Sequence, residues 1–185
     1  MNTWITDIDK TTNAFISEFE HLSGDELNWK PDGNTWSIAQ NIQHLIITNE
    51  SYFPILKKLQ SNEYKSPWIG KLGFLTDFFG NLVLKGVQPD RSKRMKTFNI
   101  WEPQKSNLSD DILRKFEVHQ DELKKLITSS GPFLKTSISS PASKVIVYKL
   151  STAFDIIVNH EKRHLNQAKE VLTLLNHDSI IRSKA

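Results

Sequence analysis

His160 and His164 stand four residues apart in the run Asn159-His160-Glu161-Lys162-Arg163-His164-Leu165-Asn166-Gln167. Two imidazoles at that spacing on a helix project from the same side, so both can bind one metal ion. A third histidine, His44, lies in another strongly helical segment, Trp36-Ser37-Ile38-Ala39-Gln40-Asn41-Ile42-Gln43-His44-Leu45. If the two helices are neighbours, three ring nitrogens face one cation and leave a coordination position open for chemistry. The chain has no cysteine, which excludes disulfides and thiolate ligands. A transition metal must then be held by histidine, carboxylate or water. Imidazoles suit zinc, nickel, copper and iron alike, so the donor set does not choose the metal.

Spacing alone is weak evidence, because roughly one chain in five or six with this histidine content carries a His-x-x-x-His pair by accident. Position adds weight. On a helical wheel His164 falls about 50° and His160 about 90° from the centre of their helix's apolar stripe, which contains Glu161. His44 sits about 130° from the middle of its own stripe, which fits a cleft between helices better than a bundle axis. The competing reading is three partly exposed histidines satisfied by water. A rival metal reading pairs Glu161-x-x-His164 with Glu18-x-x-His21 as in ferritin-like di-metal bundles, but it lacks glutamates from two further helices. His21, His119 and His177 read as surface residues, with His177 complementing a helix C-terminus. Asp155 is a candidate to orient a ligand histidine.

Four long helical segments must position these groups. The first, about residues 3–22, aligns Trp4, Ile8, Phe15, Phe19 and Leu22. The second opens at Ser37 with Gln40 completing a capping box, and Pro54 predicts a kink towards its end. The third covers about 109–128. The fourth covers about 151–176, with Phe154, Ile157, Leu165, Ala168 and Leu172 on one face. Between the second and third lies a long crossover in which Leu72–Leu84 predicts a shorter helix and 85–104 reads as irregular. Residues 130–147 also read as irregular, with β-branched content from Lys144 to Tyr148. The expectation is one all-α domain over residues 1–185: a four-helix bundle in which the long crossover permits a parallel neighbour pair.

Composition narrows the function class. The 185 residues carry a net charge of +3, with the excess gathered at Lys85, Arg91, Lys93, Arg94, Lys96 and Lys105. No basic helix or aromatic ladder accompanies it, so nucleic-acid binding is not expected. No run approaches the roughly 18 apolar residues of a membrane span, and the N-terminus lacks a signal-peptide layout, so a soluble cytoplasmic protein is expected. No phosphate loop, serine elbow or spaced carboxylate pair stands out.

The two histidine-bearing runs resemble the signatures of the DinB-like (YfiT-like) metalloenzyme superfamily. Trp36-Ser37 followed two turns later by His44-Leu45 is similar to its helix-two motif, and His160-Glu161-x-x-His164 with Gln167 to its last-helix motif. Asn28-Trp29-Lys30-Pro31 and the long connection also fit. The resemblance implies up-down-down-up connections and a divalent metal, commonly nickel or zinc, on His44, His160 and His164. It also implies a thiol-dependent S-transferase of the bacillithiol or mycothiol type, using a low-molecular-weight thiol cosubstrate and a small electrophilic substrate. On that reading Trp36, Trp68 and Trp101 wall the cleft, and Lys93, Arg94 and Lys96 receive an acidic cosubstrate. The same open site supports metal-dependent hydrolysis. A non-catalytic metal- or ligand-binding bundle is a third reading. A homodimer is expected, with the apolar 72–84 segment either forming its face or packing over the bundle.

Overall fold

Capping chemistry sets the helix that carries His44. Ser37 accepts from the Gln40 backbone N–H while the Gln40 side chain receives the Ser37 N–H, the reciprocal pair that starts a helix. The computed structural model describes residues 2–90, 97–105 and 108–183. Its elements in order are α1 (Asn2–Phe19), α2 (Gly24–Asn28), α3 (Ile38–Glu50), α4 (Phe53–Gln60), α5 (Gly73–Val87), α6 (Ile112–Ser129), β1 (Ser137–Ser140), β2 (Ser143–Lys149) and α7 (Leu150–Ser183). Three short 3-10 turns cover Trp68–Lys71, Asn99–Trp101 and Gly131–Phe133.

The chain is mostly helical, as expected. The long helices α1 and α3 each pack on both α6 and α7. Several local expectations need correction. The second helix does not run through to Leu56 with a kink: α3 ends at Glu50, and α4 starts with Pro54 in its first turn. A proline there needs no N–H partner, whereas in mid-helix its ring would meet the carbonyl four residues back. The region after α1 holds a separate turn of helix, α2, capped by Ser23 and Glu26. Residues 130–147 are not simply irregular: β1 and β2 form a two-stranded antiparallel hairpin, with a register shift between Ser139 and Ser140. Val147 and Tyr148 are both buried on β2 although adjacent, so the alternation that marks a strand is broken. The last helix runs on to Ser183, which places His177 inside it and not at its end.

Helix α5, predicted over 72–84, forms and packs on β2 and α7. Gly80 permits the approach, since a Cβ there would lie 3.0 Å from the Thr152 Cγ2. Its outward side exposes Phe74, Phe78 and Leu82.

The core has two apolar clusters. One gathers Ile8, Tyr52, Phe53, Leu56, Leu123, Ile127, Ile138, Tyr148, Phe154 and Ile157. The other gathers Phe15, Phe19, Ile38, Ile42, Leu45, Phe116, Ala168 and Val171. Along each long helix, polar residues separate the two: Thr11 and Thr12 on α1, Thr48 and Asn49 on α3, His119 and Gln120 on α6, Glu161 on α7. The two remaining predicted ligands on α7, His160 and His164, flank Glu161 at this level.

Candidate metal centre

Two helices and one backbone segment build the site. Helix α3 supplies His44, and α7 supplies His160 and His164, the two helices packing against each other. The three rings meet through their Nε2 atoms: His44 to His160 at 3.2 Å and His164 to His160 at 3.0 Å. One ligand atom from each of the three falls within 4.8 Å of the others. His44 and His164 are buried and His160 is partly buried.

The far side of two rings is fixed. His44 Nδ1 lies 2.7 Å from the Trp101 carbonyl oxygen, and a carbonyl can only accept, so this nitrogen carries the proton. His164 Nδ1 lies 2.7 Å from Asn41 Oδ1, which fixes that ring the same way. Both Nε2 lone pairs are therefore free and aimed at His160. Burial pulls the His44 pKa down to about 4, against the Trp101 hydrogen bond, which raises it. His160 and His164 are pulled well below the usual histidine value, chiefly by burial, with smaller contributions from neighbouring histidines and Arg163. At pH 7 all three are neutral, the form in which imidazole ligates a metal.

This donor set fits a divalent cation. Imidazole nitrogens bind such ions at about 2.0–2.1 Å, which separates two ligand atoms by about 2.9 Å at a right angle and about 3.4 Å at the tetrahedral angle. The observed 3.0 and 3.2 Å lie in that interval. Without a cation, the Nε2–H of neutral His160 can donate to these lone pairs; a cation would accept all three rings at once.

The DinB superfamily profile matches residues 7–168, which include all three histidines. The chain belongs to this superfamily. No curated protein and no solved structure matches it. A DinB superfamily protein with a three-histidine cluster is compatible with metal binding.

The remaining predicted residues divide. Trp36 lies against the site, 4.8 Å from the His44 ring and stacked at 5.9 Å and 20° on His164. Trp101 is also there, through its carbonyl. Trp68 is not: it is 73% exposed, in a turn against the hairpin and α5. Asp155 orients no histidine; it accepts from the Trp4 indole N–H at 2.7 Å. Glu161 is fully buried, with Oε1 accepting from Asn49 at 2.8 Å. Burial pushes its pKa up to about 7. The second Glu-x-x-His pair forms no site, since Glu18 pairs with Lys169 at 2.6 Å and His21 is exposed. His177 is exposed as expected, whereas His119 is buried, against expectation. Lys93, Arg94 and Lys96 lie outside the described residues.

Asn41 and the Trp101 carbonyl were not anticipated as partners of the ligands. Asn41 precedes His44 by three positions and so shares its side of α3, a signal available in the sequence. A backbone carbonyl from 57 residues away leaves no such signal. His44 is buried although it lies off the apolar stripe, because α3 is buried on more than one side: Gln40, Asn41, His44, Thr48 and Asn49 are buried together with Ile38, Ile42 and Leu45.

Proposed function

We propose that this DinB superfamily protein is a divalent-metal-dependent enzyme, a thiol S-transferase acting on small electrophiles, with His44, His160 and His164 as ligands of zinc or nickel. The observation that carries the metal site is the convergence of three neutral imidazoles, two with their outward nitrogens locked by hydrogen bonds. The choice of reaction follows the family resemblance. A divalent cation held there supplies a Lewis acid that lowers the pKa of a bound thiol or water. The protein's own part is to keep the imidazoles neutral by burial, hold two tautomers, and wall the site with Trp36 and Trp101. In the transfer, the thiol loses its proton to solvent. A sulfur–carbon bond then replaces the bond to the electrophile's leaving group. On the same reading the four long helices, α1, α3, α6 and α7, form a single bundle with up-down-down-up connections. Each of α1 and α3 packs on both α6 and α7, which supports that arrangement. The protein works in the cytoplasm as a homodimer.

No helix among the described residues is long and apolar enough to cross a membrane. The test of function is to incubate zinc- or nickel-loaded protein with an aryl halide, with and without bacillithiol, mycothiol or a simpler thiol. Product that requires both metal and thiol is the expected result. Turnover with metal and no thiol would replace the transferase by a hydrolase.

A further inference from the structure

The carbonyl that fixes His44 belongs to a segment that α3 holds at several points. Residues 97–105 lie along this helix. The Gln40 side-chain amide donates to the Gln104 carbonyl at 2.7 Å, and the Gln104 backbone N–H donates to Gln43 Oε1 at 2.7 Å. The Trp101 indole N–H donates to Ser51 Oγ at 3.2 Å, and the His44 ring sits on the Trp101 carbonyl. Of these partners, on α3 and on Ser51 just after it, all except His44 lie outside the ligand set. Within the segment, the 3-10 turn Asn99–Trp101 brings the Trp101 carbonyl to His44.

We propose that residues 97–105 are a strap that positions His44, with Trp101 as the positioning residue through its backbone carbonyl, so that strap docking and metal affinity are coupled. The inference rests on the metal site proposed above. With the strap docked, the proton of His44 is held on Nδ1 and its Nε2 lone pair points at His160 and His164. With the strap released, water competes for Nδ1, and the ring is free to change tautomer or rotate away from the other two. Partners of this kind on ligand histidines are worth about 10- to 100-fold in metal affinity. Coupling between binding events is reciprocal, so a strap that tightens metal binding is itself tightened by the metal to the same extent. Asn41 plays the corresponding part for His164 from within α3, and His160 has no such partner among the described residues. The strap therefore governs the one ligand that joins α3 to the α7 pair.

Two measurements on the full chain, with Zn2+ as the probe, test this. The first is backbone amide exchange of peptides covering 97–105, with and without saturating Zn2+. Protection should rise about 10-fold or more on adding the ion. The second is Zn2+ affinity, by chelator competition, of the Gln43→Ala/Ser51→Ala variant, which cuts two strap anchors and no ligand. It should bind about 10- to 100-fold more weakly while its far-ultraviolet spectrum stays helical. Equal exchange over 97–105 with and without Zn2+ overturns the proposal, whatever the variant does. So does a variant whose strap amides exchange freely while its affinity stays within twofold of wild type. A wild-type protein that binds no Zn2+ at all defeats the metal site itself, an outcome distinct from either.

Discussion

His119 and the His44–His160–His164 group lie near one another in chain level on the long helices, all of them removed from water to a large degree, yet their nitrogens meet different surroundings. His119 is 6% exposed, its ring stacked on Phe53 at 5.4 Å and 7°. Neither of its ring nitrogens has a hydrogen-bond partner. Its closest carboxylate, Glu50, is 3.8 Å away. Burial pulls its pKa down to about 4, as it does that of His44. A strongly lowered histidine pKa therefore does not mark a site in this molecule. What separates the two regions is convergence. The three-histidine group has outer nitrogens tied down and inner ones aimed at one point, while His119 belongs to a polar layer that is incompletely paired. Among the described residues, the buried polar atoms without partners, on Thr48, Asn49, His119, Gln120 and Glu161, all lie in that layer.

The largest effect expected from this contrast is on metal affinity. His164→Ala should weaken Zn2+ binding by more than about 100-fold, beyond the range that loss of a supporting hydrogen bond costs, whereas His119→Ala should leave it within about twofold. Chelator-competition titrations of both variants decide it. The next effect belongs to Asn41. Asn41→Leu removes the acceptor on His164 Nδ1 and should cost about 10- to 100-fold, while Asn41→Asp, which retains an acceptor, should recover most of the loss.

The smallest effect is on stability, and it falls on the other region. The His119 pKa is depressed to about 4 in the fold, from an ordinary value of 6.5. Between those values the unfolded chain binds the extra proton, so stability rises with pH and is lost as pH falls through the window. From pH 6.5 to 5.5 that loss is about 1 kcal/mol. His119→Phe should abolish this part of the pH dependence, measured by urea unfolding at the two pH values, without changing metal affinity. A His119→Phe variant that lost metal would merge the two regions and break the contrast.

How much of this was legible in the sequence depended on the range of the determining contact. The helical periods of α1, α6 and α7, and the capping box of α3, are local, and they located the helices and all three histidines. Pairing of α3 with α7 is not local, and the resemblance of two short motifs supplied it. The burial of His119 was available in the helical period and missed: it lies three residues after Phe116 and four before Leu123, on the buried face of α6. The hairpin was hidden by the register shift and by adjacent buried residues on β2. The strap was invisible for a different reason: its key acceptor is a peptide carbonyl, which any residue type would supply.

The proposed metal site depends on His44, because the α7 pair is adjacent by helical spacing alone and only His44 requires the tertiary fold. The direct test is the metal content of purified wild-type protein and of His44→Ala, by elemental analysis after equilibration with Zn2+ and desalting. One ion per chain in the wild type and none in the variant is the predicted result. A folded His44→Ala protein that keeps one ion per chain would contradict it.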